Sequence, residues 1–270
     1  MKNVYKISGS DGLWSYSSQT RQFSEIRITP TPNVLRVAFD TRTDTLLLLQ
    51  LVLHADDAPY YEELRLNDYY LVALGQDKNT STSKWTEIHR LKVDLLVDDA
   101  EPDLTAFNSL IFLGGGYERK LYLFGVTPEH RLHLHSYDTV PHKFYGLACT
   151  RLGKDMLVAF AHERSVSLHR LVSDFPLKFE QRNVVFIGAP RRLLFCKDLL
   201  LVSDWKWITR SHNILSLRAS GGALVEQQML FETERAGADY RHLSWAFVGN
   251  KLILFHWDTI SDYQFANEFD

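Results

Sequence analysis

The chain has 270 residues and a formal net charge of -3, with 45% hydrophobic and 23% charged residues. This balance is typical of a globular protein and excludes a disordered or collagen-like chain. The slight negative charge gives no general attraction for nucleic acid or for an anionic membrane, so we expect neither as a direct partner. One domain covering residues 1–270 is predicted, because all-β folds of this length are often undivided.

The cysteine content indicates a reducing compartment. Cys149 and Cys196 are the two cysteines, and each lies in an apolar stretch. A secreted disulfide framework normally shows more cysteines in an even, closely spaced set. The N-terminal residues lack the apolar stretch of a secretion signal, and no apolar run approaches the roughly 20 residues of a membrane-spanning helix. We therefore predict an intracellular protein, cytoplasmic or nuclear.

In chain order, residues 4–7 and 23–28 are the first predicted strands, and a repeat follows them. Five times, an Asn or Asp is followed by a dense apolar run that starts at the next residue or one residue later. The five Asn or Asp positions lie 40, 47, 43 and 52 residues apart. These positions are Asp68, Asn108, Asp155, Asp198 and Asn250. Each run is short and partly β-branched or aromatic, which is typical of a fully buried strand.

Other strand candidates flank the buried runs. Upstream strands are predicted at residues 145–150, 192–196 and 243–248, and alternating stretches follow at 121–126, 131–135, 165–169 and 214–218. This order of strands describes one blade of a β-propeller. We predict an all-β fold with a single β-propeller of about six, between five and seven, four-stranded blades. The N- and C-terminal strands are expected to close the ring, because residues 258–270 are too few for a full blade.

One segment allows two interpretations. An additional apolar run at residues 44–49 begins only 24 residues before Asp68. Either one blade is abbreviated, or residues 34–93 form one blade that carries an insertion. Asp57, Pro59 and the acidic pair Glu62–Glu63 predict a short helix in that insertion. Elsewhere no window keeps helical spacing, so little helix is expected.

The periodicity and closure resemble the WD-repeat type of propeller. No blade ends in Trp-Asp at the expected place, and the Gly-His pair of that type is missing. Residues 110–116 resemble the glycine doublet of a kelch blade, and residues 13–23 are similar to the strand-turn-strand that follows it. The resemblance implies a divergent propeller without a specific family.

Two clusters have residue types that bind metals. His133 and His135 lie two apart on a predicted strand, and paired imidazoles are common metal ligands. The alternation there also describes an outer strand with Leu inward and His outward, which we favour, so no metal or other cofactor is predicted. The acidic stretch of Asp94, Asp98, Asp99, Glu101 and Asp103 lacks the glycine of a calcium loop and is interpreted as solvated.

Two glycine-containing segments, Gly114–Gly116 and Ser220–Gly222, match no phosphate loop or nucleophile elbow and are interpreted as turns.

Tryptophans follow two of the buried runs at similar offsets. Large rigid aromatic side chains supply much of the binding energy at protein interfaces. The predicted partner-binding surface comprises Trp205, Trp207, Arg210, His256 and Trp257. Because no catalytic set is recognisable, the predicted function is a non-catalytic protein-interaction scaffold, a subunit of a larger intracellular complex with other proteins as partners. The alternatives are a carbohydrate-binding, lectin-type propeller and a hydrolase with metal or acidic residues along the central channel.

Overall fold

The computed structural model describes residues 3–8, 12–17, 22–26, 33–52, 68–76, 85–95, 102–115, 119–209, 211–233, 243–248, 251–256 and 259–264. These residues form strands and turns and contain no helix, so the predicted all-β class is confirmed. The chain divides into two compact units, Met1–Val140 and Pro141–Asp270, and each is described by itself. A single domain and a closed ring stay predictions.

The first unit contains three antiparallel sheets with the orders β1-β2-β3, β4-β5-β6-β7 and β11-β10-β9-β8. Each strand pairs with its neighbour in the chain, which is the pattern of a propeller blade. The strands are β1 (Asn3–Ser8), β2 (Gly12–Ser17), β3 (Gln22–Ile26), β4 (Asn33–Asp40), β5 (Thr45–Val52), β6 (Asp68–Gln76), β7 (Trp85–Val93), β8 (Asp103–Phe107), β9 (Leu110–Gly115), β10 (Lys120–Val126) and β11 (Leu132–Thr139).

The second unit repeats this arrangement with the sheets β12-β13-β14-β15, β16-β17-β18-β19 and β20-β21-β22. Its strands are β12 (Gly146–Leu152), β13 (Asp155–Ala161), β14 (Ser165–Asp174), β15 (Leu177–Phe186), β16 (Pro190–Cys196), β17 (Leu199–Lys206), β18 (Ser211–Ser220), β19 (Ala223–Glu232), β20 (Leu243–Val248), β21 (Lys251–His256) and β22 (Thr259–Gln264). Four four-stranded antiparallel sheets in the described chain confirm the predicted unit of the fold.

The insertion interpretation of residues 34–93 is correct. Thr45–Val52 is the second strand of its sheet, and the run at Asp68 is the third strand of the same sheet rather than the start of a new blade. The four consecutive leucines Leu46 to Leu49 are all fully buried, which is typical of a strand in the middle of its sheet. The helix predicted around Asp57 lies outside the described residues.

The core of each unit lies between successive sheets. In the first unit, Leu47, Leu49, Ile111 and Leu113 share one cluster, which therefore joins β5 to β9. In the second unit, Leu157 and Ala159 of β13 share a cluster with Leu200 and Val202 of β17. Successive side chains of a strand point to opposite faces of its sheet, so a strand that lies between two blades packs against one of them on each face.

Two local predictions are wrong, and a third is confirmed. Gly114 and Gly115 do not form a turn, because both continue β9 and pair with β10. Asp103 is not solvated: it is buried at the start of β8, 3.5 Å from the Arg36 guanidinium. Gly221 and Gly222 do form the predicted hairpin turn, and both have positive φ, which favours glycine at both central positions.

Candidate functional site

The predicted partner-binding surface is described only in part. Trp205 is 3% exposed, and its ring lies 6.0 Å from that of Trp207 and 4.8 Å from that of His212. Trp207 is 64% exposed. Arg210, Trp257 and the side chain of His256 lie outside the described residues. The structure thus brings the first two tryptophans together and buries one of them, and the binding surface stays a prediction.

The weak metal candidates lie side by side on β11. The rings of His133 and His135 are 4.5 Å apart and pack over the backbone of Gly125. Burial lowers the pKa of His133, and the charge of His135 adds to that effect. Across the described part of the chain, no three His, Cys, Asp or Glu side chains converge as metal ligands. The expected inward Leu134 is 48% exposed instead, next to a bulge at which β11 has one residue more than β10.

A hydroxyl–imidazole hydrogen bond recurs in three places that the sequence did not indicate. Thr45 Oγ1 lies 2.7 Å from His130 Nδ1 in the first unit. In the second unit, Ser167 Oγ lies 2.7 Å from His162 Nε2, and Ser203 Oγ lies 2.6 Å from His212 Nδ1. The sequence separations are 85, 5 and 9 residues, so no fixed spacing reveals the pairs. Recurrence in separate sheets indicates a structural role, since buried polar groups need partners.

The pair at Ser167 extends into a chain of hydrogen bonds. His162 Nδ1 lies 2.9 Å from the Lys143 carbonyl, so this nitrogen donates and Nε2 accepts from the Ser167 hydroxyl. Ser167 in turn accepts from His169 Nε2 at 2.9 Å. Burial lowers the pKa of His162 and lowers that of His169 to about 4, so both imidazoles are neutral at pH 7. Ser167 is buried, and this chain of bonds holds the Lys143 backbone in place.

Two cations meet at one aromatic ring beside that backbone. The guanidinium carbon of Arg191 lies 4.4 Å from the centre of the Tyr145 ring, and Lys143 Nζ lies 5.5 Å from the same centre. Arg191 is only 8% exposed, and its Nη1 donates to the Pro190 carbonyl at 3.1 Å. We call Lys143, Tyr145 and Arg191 the cation–tyrosine cluster.

The cluster lies where the first strands of two successive sheets meet. Lys143 and Tyr145 immediately precede β12, and Arg191 is the second residue of β16. The Tyr145 amide donates to the Ala161 carbonyl at 2.7 Å, which anchors the segment to β13. Exposed His142 lies at the edge of the cluster, with its ring 5.8 Å from that of His162.

The cluster has the charge to bind an anion. Two like charges close to one ring repel each other, and the negative face of the ring attracts both. An anionic group placed between them removes the repulsion and gains charge-assisted hydrogen bonds from both side chains. The guanidinium offers these bonds in a planar fork, which suits a carboxylate, a phosphate or a developing oxyanion.

Comparison with known proteins shows the fold. No protein-family model matches the sequence, and no curated protein matches it. Among solved structures, the chain is similar to the periplasmic gluconolactonase PpgL of Pseudomonas aeruginosa, with 11% identity, a TM-score of 0.57, and coverage of 94% of this chain and 78% of the other. The fold is propeller-like, with several four-stranded blades.

Two further similar structures have the same fold. A protein of Bacteroides uniformis, provisionally described as a 6-phosphogluconolactonase, matches with 11% identity and a TM-score of 0.59, covering 97% of this chain and 78% of its own. Sqt1 of Chaetomium thermophilum, bound to the N-terminus of ribosomal protein L10, matches with 12% identity and a TM-score of 0.52, covering 97% and 67%.

The predicted function needs correction. The prediction of a non-catalytic protein-interaction scaffold depended on a propeller without a recognisable catalytic motif. That prediction is wrong, because similar structures with this fold include a gluconolactonase and a protein provisionally described as a 6-phosphogluconolactonase. The lectin alternative has the same non-catalytic premise and is set aside with it. In the described chain, no helix is long and apolar enough to cross a membrane.

Proposed function

We propose that this protein is a hydrolase that opens the ring of a small carbohydrate lactone. The observation that carries the proposal is the cation–tyrosine cluster, in which Lys143 and Arg191 meet at the ring of Tyr145. The fold supports the substrate class, since one similar structure is described as a gluconolactonase and another provisionally as a 6-phosphogluconolactonase. Aromatic rings beside cations also suit a sugar, whose apolar face packs against the ring while its polar groups meet the charges.

The reaction needs the charges that the cluster supplies. Water adds to the lactone carbonyl carbon, and the carbonyl oxygen becomes an oxyanion. The bond from this carbon to the ring oxygen then breaks, and the ring oxygen takes a proton to give the open hydroxy acid. Lys143 and Arg191 stabilise the oxyanion and the carboxylate that follows it. Stabilisation of developing charge is usually the largest single contribution to catalysis of this type.

Two histidines have separate roles in this proposal. His142 is exposed beside the cluster, so its imidazole is placed to take a proton from the attacking water. His162 uses both ring nitrogens in hydrogen bonds to Lys143 and Ser167, so it positions the cluster rather than exchanging protons with substrate. Its lowered pKa keeps it neutral and avoids a third positive charge beside Lys143 and Arg191.

Acid release from glucono-δ-lactone at constant pH tests the proposal. We expect the wild-type protein to exceed the spontaneous rate and Arg191→Gln to lower kcat/KM by about 100-fold, because one oxyanion-stabilising group is lost. Arg151→Gln is the matched control, since Arg151 is an exposed arginine on β12 outside the cluster. A wild-type rate equal to the spontaneous one, or equal rates for both variants, would contradict the proposal.

The proposal extends to compartment and partners. We propose an intracellular location, supported by Cys149 and Cys196, which are not joined in a disulfide. Protein partners remain part of the proposal, supported by exposed Trp207 and Ile208 in the turn after β17. Cell fractionation tests the intracellular location, and recovery of the protein in an oxidising compartment would contradict it. Size-exclusion chromatography of native extract tests for protein partners, and elution at the monomer mass would contradict them.

A further inference from the structure

A row of acceptor side chains crosses the sheet that contains Arg191. Pro190 of β16 pairs with Asp204 of β17, which pairs with Asn213 of β18, which pairs with Glu232 of β19. Side chains of directly paired residues lie on the same face of a sheet, about 5 Å apart at Cβ. Asp204, Asn213 and Glu232 therefore form one row, which we call the polar row.

The outer members of the row have hydrogen-bond donors. The Ala189 amide donates to Asp204 Oδ1. The hydroxyls of Ser211 and Thr209 donate to Glu232 Oε1, and the bond from Ser211 lowers the pKa of that carboxyl. Both carboxyl groups are thus held in place as acceptors.

The central member has no donor. Asn213 is 7% exposed, and its Oδ1 is buried with no hydrogen-bond partner within the described chain. A buried acceptor without a partner is costly, and such groups are rare in folded proteins. The two ends of a carboxamide interchange by rotation about one bond, so the oxygen can turn to meet a donor beside the sheet. The central member of the row is therefore an acceptor to which the described residues donate no hydrogen bond.

The row begins next to the cation–tyrosine cluster. Pro190, which pairs with Asp204, immediately precedes Arg191, and its carbonyl accepts from the Arg191 guanidinium. A ligand whose carbonyl or carboxylate lies at Arg191 therefore extends toward Asp204 and Asn213. Across one strand the distance is about 5 Å, which an extended carbon chain covers in about four C–C bonds.

We infer that Asp204 and Asn213 accept hydrogen bonds from two hydroxyl groups of a polyhydroxylated substrate whose acyl end lies at Arg191. The inference rests on the proposed function and names its substrate class, a sugar lactone rather than a simple lactone. Hydroxyl groups suit the row because each brings one donor to one acceptor. A hard cation suits it less, since Asp204 and Asn213 supply two side-chain oxygens where calcium takes six to eight ligands.

The test compares two lactones that differ in hydroxyl groups. Glucono-δ-lactone carries them, and δ-valerolactone has the same ring without them. We expect Asn213→Leu to raise KM about tenfold for glucono-δ-lactone and to leave KM for δ-valerolactone unchanged. Gln50→Leu is the control, because Gln50 is a fully buried amide whose side-chain nitrogen and oxygen have no hydrogen-bond partner in the described chain, and it lies in the other unit.

Folding and binding measurements complete the test. Thermal melting checks that Asn213→Leu still folds, and Asn213→Ala replaces it if leucine disrupts folding. Calorimetric titration with D-gluconate, the open-chain product, is expected to show about tenfold weaker binding to the Asn213 variant than to the Gln50 variant.

The outcomes separate the two ideas. Hydrolysis with equal KM changes for both lactones overturns the polar-row inference and leaves the proposed function intact. Absence of hydrolysis overturns the proposed function, and the gluconate titration then decides the inference by itself. Equal gluconate binding by wild type and the Asn213 variant, no gluconate binding at all, or a calcium-dependent shift in melting that Asn213→Leu abolishes would each overturn it.

Discussion

Gly146 and Arg191 approach so closely that a Cβ atom on Gly146 would lie 2.3 Å from the Arg191 carbonyl oxygen. The contact joins the first strands of two successive sheets, β12 and β16, directly beside Tyr145. Only glycine permits this separation, because the obstructing atom belongs to backbone and cannot rotate away. The position of Arg191 relative to Tyr145 therefore depends on a residue that has no side chain.

Gly146→Ala is expected to destabilise the protein by about 1 to 3 kcal/mol, the usual cost of overpacking a core. Urea unfolding measures the loss. The same substitution should move Arg191 and lower lactone hydrolysis per folded molecule. Unchanged stability together with unchanged activity would show that β12 and β16 do not approach in this way.

Acid should weaken the second unit through His169. Its folded pKa of about 4 lies below the ordinary value of 6.5, so the unfolded state binds a proton that the folded state does not. Stability is complete above pH 6.5 and falls as the pH drops toward 4, by at most about 3 kcal/mol because the ring is partly solvated.

Urea unfolding between pH 7.5 and pH 4 measures this dependence. His169→Gln should flatten it, because the titrating imidazole is gone, whereas His142→Gln at an exposed position serves as the control. A variant at His169 with the same pH slope as wild type would assign the effect to other groups.

The buried hydroxyl–imidazole bond at Ser203 should contribute to stability. Ser203→Ala leaves His212 Nδ1 without its hydroxyl partner in a fully buried site, at a cost of about 1 to 3 kcal/mol. Ser220→Ala, at the exposed end of β18, should change stability by less than about 0.5 kcal/mol. Thermal unfolding compares them, and equal melting temperatures would contradict a structural role for the bond.

Trp205 and Trp207 should contribute very differently to the stability of the protein. Trp205→Ala removes a buried ring and is expected to cost about 3 to 5 kcal/mol, whereas Trp207→Ala should cost little because that ring is mostly exposed. Acrylamide should accordingly quench the fluorescence of Trp207 more than that of Trp205 in single-variant comparisons. Similar unfolding midpoints for the two alanine variants would contradict the burial of Trp205.

Errors in the sequence-based strand assignment show where local patterns stop being informative. The runs at residues 45–52 and 68–76 are equally apolar, and only their pairing shows that they are second and third strands of one sheet. Gly114 and Gly115 suggested a turn, yet they continue β9 because the paired β10 supplies hydrogen bonds along their backbone. Leu134 was expected inside, and it is 48% exposed beside a bulge in its own strand, β11.

The amino-acid sequence by itself determined the class of structure: apolar runs of period two, Asn and Asp at turns, and the near-regular spacing predicted four-stranded antiparallel units. These signals are local, because a strand and its hairpin partner lie within a few tens of residues. Only the tertiary structure decided that Lys143, Tyr145 and Arg191 meet, and that Asp204 and Asn213 are cross-strand neighbours. Such meetings arise from packing of one sheet on the next and from strand register, which no pattern within a single segment encodes.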